Sequence, residues 1–265
     1  MTNHPRKRAI ITGASSGIGR TVALELGRRG YDVALVARRR ELLEANVAEL
    51  ERQGTRAAAI ACDVTDAEAV KDAVRRGEEA LGGSFDLAVA NAGVGLPTHG
   101  ANFKLADAEL MLRVNVFGMI YLFDAVIPGM VERRSGRFAG VASLAGYRGI
   151  PASSIYSASK AAMQSFLEAS RVELAPYGVG VTTINPGFVV TAMTEKNKFK
   201  MPFLMTAERA ATIIGRGLDR GVRVIEFPLP MSLLVRLMRL LPNAIYDRAT
   251  APFARRKVDP VKLRR

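Results

Sequence analysis

Residues 8–19 read Arg8-Ala9-Ile10-Ile11-Thr12-Gly13-Ala14-Ser15-Ser16-Gly17-Ile18-Gly19, and this stretch decides the fold. Its first five residues are a short apolar run that suits a buried parallel strand. Three glycines follow within seven positions, and then an amphipathic stretch over residues 18–29. Strand, tight glycine turn and helix start are the geometry that lays a pyrophosphate on free backbone N–H groups at the positive end of a helix. Glycine opens backbone angles closed to other residues and lets a ligand come close to the chain. Gly13, Ser15, Ser16, Gly17, Ile18 and Gly19 are therefore candidates to hold a dinucleotide. An ordinary strand-to-helix turn would look similar in isolation. What sets this one apart is its place at the start of a βαβ pattern.

Outward from the turn, strand-like apolar runs at 33–37, 57–61, 87–90, 138–142, 179–184 and 222–227 alternate with helical stretches. That alternation predicts a single-domain, Rossmann-like, doubly wound parallel sheet of about seven strands with helices on both faces. The 265 residues, 49% of them apolar, are enough for one large α/β core. Residues 1–227 are expected to form that domain. Residues 228–265 are expected to form a C-terminal extension, an amphipathic helix and a basic tail, packed on or beside it.

Several classes are excluded or disfavoured. The first strand starts too near Met1 for a signal peptide, and Arg113, Asp124 and Arg236 interrupt the apolar runs that might span a membrane. A cytoplasmic protein is expected, with membrane association left open for the tail. One cysteine, Cys62, allows no internal disulfide, and it suits a small buried hydrophobe. With His4 and His99 as the only histidines, no metal site of Cys/His type is expected. A Ser–His–acid hydrolase would have to use His99, which lies in a loop with no nucleophile elbow.

Four polar residues carry candidate chemistry. Tyr156 and Lys160 are four apart in a helical stretch and so share a face, which puts an ammonium beside a phenol. A free tyrosine titrates near pH ~10, and a nearby cation favours the phenolate. An exposed helical face is the plainer alternative for this pair. Ser143 follows a strand at its carboxyl end, where functional groups gather in an open α/β sheet. Its hydroxyl can hold a substrate oxygen while Tyr156 moves the proton. Asn115 lies in the apolar stretch 112–123, where a buried amide needs partners, and it could equally be a core asparagine bonded to nearby backbone. Arg38 opens a run of three arginines about 20 positions after the glycines, where an acid would select a ribose 2′-hydroxyl. An arginine can pair with a 2′-phosphate, which favours NADP(H) over NAD(H), unless the run is only solvated surface.

These motifs together resemble the classical short-chain dehydrogenase/reductase family. The matching positions are Thr12-Gly-x-x-x-Gly-x-Gly19, Asp63-Val64, Asn91-Ala92-Gly93, Asn115, Ser143, Tyr156-x-x-x-Lys160 and Pro186-Gly187 with Thr191, in the family's order over residues 8–226. The resemblance implies that Tyr156 is the acid/base and that Lys160 lowers its pKa and holds the nicotinamide ribose. It implies that Ser143 orients the reacting oxygen and that Asn115 positions a water in the proton relay. Asp63 with Val64 would meet the adenine, and Asn91, Ala92 and Gly93 would run along the cofactor while Asn91 braces the sheet. Pro186, Gly187 and Thr191 would hold the nicotinamide amide. A second asparagine frequent in the family is replaced here by Ala90. A homodimer or homotetramer is implied, with contacts around residues 110–130 and the Tyr156 helix.

The formal charge of +13 is uneven: residues 196–265 hold 16 Lys/Arg against 5 Asp/Glu. Residues 231–241 are mostly Leu, Met and Val, with Arg236 and Arg239 on one face. Such a helix can lie on an anionic membrane, or it can close the substrate pocket or a subunit interface. Nucleic acid is not expected as a partner, for want of a recognisable binding fold and of stacking aromatics. The stretch 188–205, with Met193, Phe199, Met201, Phe203 and Leu204, suits an apolar lid over an apolar, lipid-like substrate, with Lys196, Lys198 and Lys200 as its cations. The function expected is hydride transfer between a nicotinamide cofactor and a carbonyl or secondary alcohol. The rivals are a non-catalytic NADP(H) sensor or scaffold working through the basic tail, and a nucleotide-sugar epimerase or dehydratase.

Overall fold

The structure, a computed structural model, describes residues 6–195 and 200–255. Lys196, Lys198 and Phe199 of the expected lid, and the basic cluster over 256–265, lie outside the described residues. The elements run β1 (Lys7–Thr12), α1 (Gly17–Arg28), β2 (Tyr31–Ala37), α2 (Arg40–Arg52), β3 (Ala57–Ala61), α3 (Ala67–Leu81), β4 (Leu87–Ala90), α4 (Leu105–Leu112), α5 (Gly118–Glu132), β5 (Gly136–Val141), α6 (Ser154–Leu174), β6 (Val179–Pro186), α7 (Ala207–Asp219), β7 (Val224–Phe227), α8 (Leu229–Leu240) and α9 (Asn243–Arg255).

All seven strands are parallel, in the order β3-β2-β1-β4-β5-β6-β7. The doubly wound sheet expected from the alternation is therefore present. Side chains alternate along each strand and fill two separate cores. Ile11, Leu35 and Ile184 join Leu26 of α1 and Ile214 of α7 on one face. Ile10, Val36 and Phe138 join Leu122 of α5 and Leu167 of α6 on the other. The chain leaves β1 toward β2 and later returns to its other side as β4, so the crevice between the two directions opens at the carboxyl end of β1.

Local signals set the helix ends. Asp66 caps α3 by accepting from the N–H groups of Glu68 and Ala69, and Gly82 ends it in the left-handed conformation. The strand expected over 222–227 begins at Val224. Residues 221–222 instead close α7, with Gly221 at φ 66 and the Val222 N–H bonded to Gly217 O.

The helix expected over 112–123 is longer and less regular than its apolar pattern suggests. The run Leu105–Glu132 is continuous, but Arg113–Phe117 form a π-helical turn between α4 and α5. By length and composition the run is long and apolar enough to cross a membrane, which corrects the expectation that Arg113 and Asp124 interrupt it. It is a core helix here: Met111, Asn115, Leu122 and Met130 are buried.

Phe138 is fully buried and meets Phe123 edge-on at 5.1 Å between ring centroids. Replacing Phe138 with Ala should cost about 3–5 kcal/mol of stability, read from urea denaturation midpoints.

Candidate active site

The glycine turn is packed against the end of β4. Gly13 (φ 68) and Gly17 (φ 57) sit in the left-handed region. A methyl on Gly19 would lie 2.3 Å from Gly13 O and 2.4 Å from Asn91 Nδ2. Asn91 holds the contact: its Nδ2 donates to Thr12 O (3.0 Å) and Gly13 O (3.2 Å). The backbone N–H groups of Asn91 and Ala92 donate to Thr12 Oγ1. Ser16 stands at the N-cap of α1 without a side-chain cap bond, so the first N–H groups of that helix have no partner from it. A close-packed glycine turn whose helix start has no side-chain cap offers backbone donors at a positive helix end, which fits a pyrophosphate.

The arginine at this turn is Arg39, one residue beyond the candidate. Its guanidinium donates to Ser15 Oγ (2.8 Å) and Ser16 Oγ (2.9 Å). Arg38 is exposed and makes no hydrogen bond or ion pair with the described residues. A count along a strand end cannot decide which of two adjacent arginines turns toward the ligand. Asp63 accepts from the N–H and hydroxyl of Thr65 and is exposed at the end of β3, while Val64 is buried against Gly118. Thr191 lies opposite the turn, its Cγ2 3.1 Å from where a methyl on Gly17 would sit. The Gly187 N–H donates to Phe227 O (2.7 Å), which fixes the loop after Pro186 to the end of β7.

The four candidate catalytic residues converge at the carboxyl ends of β4 and β5. Asn115 and Lys160 meet at Gly93: a methyl there would sit 3.3 Å from Asn115 Oδ1 and 3.6 Å from Lys160 Nζ. Lys160 is buried, donates to Val141 O (2.8 Å), and stands 5.8 Å from the Tyr156 ring centroid. The Tyr156 ring and Met193 of the lid both flank Gly95. Ser143 Oγ accepts from the Ala145 N–H (3.1 Å) and donates to Pro186 O (3.4 Å). Asn115 is fully buried in the π-helical turn, its amide N–H groups donating to Val94 O and Ser159 Oγ. Its Oδ1 accepts from the Val94 N–H (2.8 Å). Both amide donors are therefore spent on structure, which leaves a second lone pair of Oδ1 or the backbone to meet a relay water.

The electrostatics differ from the simple picture of a cation lowering a phenol. Burial pushes Tyr156 above the ordinary tyrosine value, and the Ser143 hydroxyl beside it pulls the other way. Burial also pulls Lys160 down to about 7. Burial, full for Lys160 and partial for Tyr156, disfavours the charged form of both groups. The Cys62 thiol is likewise pushed up by burial, to about 11, which leaves it inert.

Sequence reasoning missed a second tier of residues. Gln164, one helical turn beyond Lys160, donates to Ser143 O (2.8 Å) and Asn185 Oδ1 (2.9 Å). Asn185 donates in turn to Tyr147 OH and Glu226. The Glu226 carboxylate also takes the hydroxyls of Tyr147 and Ser232 and the guanidinium of Arg236. Burial would raise it, but those donors hold it below the usual carboxylate range. The Tyr156–Lys160–Gln164 spacing was a signal for Gln164. Nothing local marked Glu226.

A family model for short chain dehydrogenase matches residues 7–201. An uncharacterized oxidoreductase of Myxococcus xanthus is 41% identical over 249 residues, 94% of this chain and 98% of that protein. The structure of a short-chain dehydrogenase from Sphingobium yanoikuyae in complex with NADPH superposes with a TM-score of 0.77 at 27% identity, covering 90% of this chain and 97% of that one. An alcohol dehydrogenase from Thermococcus sibiricus, complexed with 5-hydroxy-NADP, does so at 0.76 and 29% identity, covering 83% and 94%.

The buried lysine has a measurable consequence. Above pH ~10.5 Lys160 is neutral in both folded and unfolded chains. As pH falls toward 7 the unfolded chain takes up the proton and the folded one does not, so the lysine's penalty grows across that window and levels off below it. Lys160→Met should therefore raise the melting temperature by roughly 3 °C or more at pH 7 and by much less at pH 10, in thermal melts of the unliganded protein.

Proposed function

The chain belongs to the short-chain dehydrogenase/reductase family, and from that premise we propose that it is an NADP(H)-dependent oxidoreductase acting on a carbonyl or secondary alcohol of apolar, lipid-like character. The observation that carries this is the convergence of Ser143, Tyr156 and Lys160 beside the glycine turn. The nicotinamide dinucleotide, when bound, supplies or takes up the hydride at the substrate carbon.

The chain's own residues do the rest. The Tyr156 hydroxyl gives or takes the proton at the substrate oxygen, and Ser143 Oγ, within reach of the same oxygen, orients it. In its charged form Lys160 would favour the phenolate, while burial pushes both groups toward neutral. Gly13, Ser15, Ser16, Gly17, Ile18 and Gly19 hold the pyrophosphate. Asp63 and Val64 lie along the adenine, and Asn91, Ala92 and Gly93 along the cofactor. Pro186, Gly187 and Thr191 hold the amide end. Asn115 holds β4's extension to α6, with its backbone serving the relay.

NADP(H) is favoured by the Arg38–Arg39 pair at the turn, and the NADPH in the Sphingobium yanoikuyae relative is consistent with it. Met193, Phe203 and Leu204 are 40–52% exposed in the lid, which suits an apolar substrate. We take residues 1–227 as the catalytic domain, located in the cytoplasm. It assembles as a dimer or tetramer through the exposed Leu105, Leu110 and Phe117 of the α4–α5 run. A sensor or scaffold would have no use for a proton-transfer group in a dry pocket. A nucleotide-sugar enzyme would need a larger C-terminal domain, whereas α8 and α9 alone follow β7 among the described residues.

Tyr156→Phe should lower turnover roughly 10²–10⁴-fold with NADPH binding nearly unchanged, and full activity would rule the mechanism out. In fluorescence titrations the wild type should prefer NADPH to NADH. Arg39→Ala and Arg38→Ala should each weaken NADPH by about 10–100-fold and leave NADH alone. Tighter binding of NADH by the wild type would overturn the choice of cofactor.

A further inference from the structure

Helix α8 sets Ser232 and the half-buried Met231, Val235 and Met238 against the protein and turns its leucines to solvent. Ser232 is buried against Glu226, and Arg236 reaches the same carboxylate at 2.9 Å. Arg239 lies over the Tyr147 ring, 5.9 Å from its centroid. Arg148 donates to the carbonyls of Met238 and Leu241 and to Asn243 Oδ1, and it stacks on Tyr246 of α9 at 3.9 Å. The arginine pair whose spacing suggested a face for anionic headgroups is thus tied to protein partners, although both residues remain exposed. It fastens α8 to the connection between Ser143 and Tyr156.

The outer side is leucine. Leu229, Leu233, Leu237 and Leu240 are 61–80% exposed and Leu234 is 47% exposed. At 100° per residue these five fall within an arc of about 140° that contains no charged side chain. On α9, Ile245 and Phe253 are eight residues apart and both more than half exposed. A contiguous apolar face of this kind marks a surface that something covers.

Charge identifies the cover. Residues 228–265 carry 9 Lys/Arg against 2 Asp/Glu, and six of those cations follow Phe253. A second copy laid on this face would bring an equal positive charge against it. A negatively charged lipid surface satisfies both features, taking leucines at the acyl boundary and cations at the headgroups.

We propose that the α8–α9 segment is a docking face for an anionic membrane, with the leucine side of α8 seated in the interface and the C-terminal cations on the headgroups. Because α8 is fastened to residues 147–149, docking brings the connection between Ser143 and Tyr156 to the lipid side. An apolar substrate would partition there. The docking itself does not depend on the reaction.

The test is co-sedimentation of the full chain, without cofactor or substrate, at low salt. The vesicles are phosphatidylcholine alone or with roughly one-third phosphatidylglycerol. The wild type should pellet with the anionic vesicles and not with the neutral ones. A Leu233→Gln/Leu237→Gln double variant should lose about tenfold or more in partition, while its thermal melt and its mass in solution stay unchanged. Three results would overturn the proposal: no wild-type binding to anionic vesicles, equal binding by the double variant, or equal binding to neutral vesicles. A fall in the variant's solution mass would also overturn it, by showing that the leucines cover a second copy.

Discussion

The structure depends on a space too small for a methyl group. The β1–α1 turn and the end of β4 approach so closely that a side chain at Gly19 would strike the carbonyl of Gly13 and the amide of Asn91. That closeness lets Asn91 bond Thr12 and Gly13 and tie the two halves of the sheet together where their winding reverses. It also brings the backbone of the turn close, with the uncapped start of α1 beside it. Sheet topology, helix start and ligand crevice are thus one feature, and the glycines satisfy all three together.

The candidate catalytic pocket illustrates a different constraint, the cost of surrounding ionisable groups with protein. Lys160 is held by one carbonyl and has no carboxylate beside it. Tyr156 is buried with it, and each group is pushed toward its neutral form. Residues that satisfy their own needs surround them: Asn115 binds β4's extension to α6, and Gln164 bridges Ser143 to Asn185. The stability given up at Lys160 is spread over two large apolar cores on either side of the sheet.

The C-terminal helices follow the same division between inside and outside. Glu226 lies near the end of the last strand, half surrounded by protein. Ser232 and Arg236 of α8 and Tyr147 of the β5–α6 connection come together to satisfy it. Helix α8 is oriented by those contacts, and its leucines are left outside as a consequence. A hydropathy pattern alone would assign the leucines to the inside. The buried carboxylate reverses that assignment, because an unpaired charge costs more than exposed leucine.

Periodicity and spacing made the sheet legible. Apolar runs bounded by turns gave seven strands, and all seven formed. The boundary near 222 moved because Gly221 closes a helix instead of opening a strand. The placement of the glycine turn, Tyr156, Lys160, Ser143 and Asn115 was also legible, since it rests on local geometry or on strand ends. What the sequence could not decide was direction and partnership. Which of Arg38 and Arg39 faces the turn, whether Asn115's amide is free or already bonded, the π-helical turn that carries it, and which side of α8 meets solvent all depend on atoms from distant segments. Local patterns fix element type because backbone hydrogen bonding and side-chain period are short-range. Side-chain orientation and ionisation are set by burial and by partners brought together only when the chain folds.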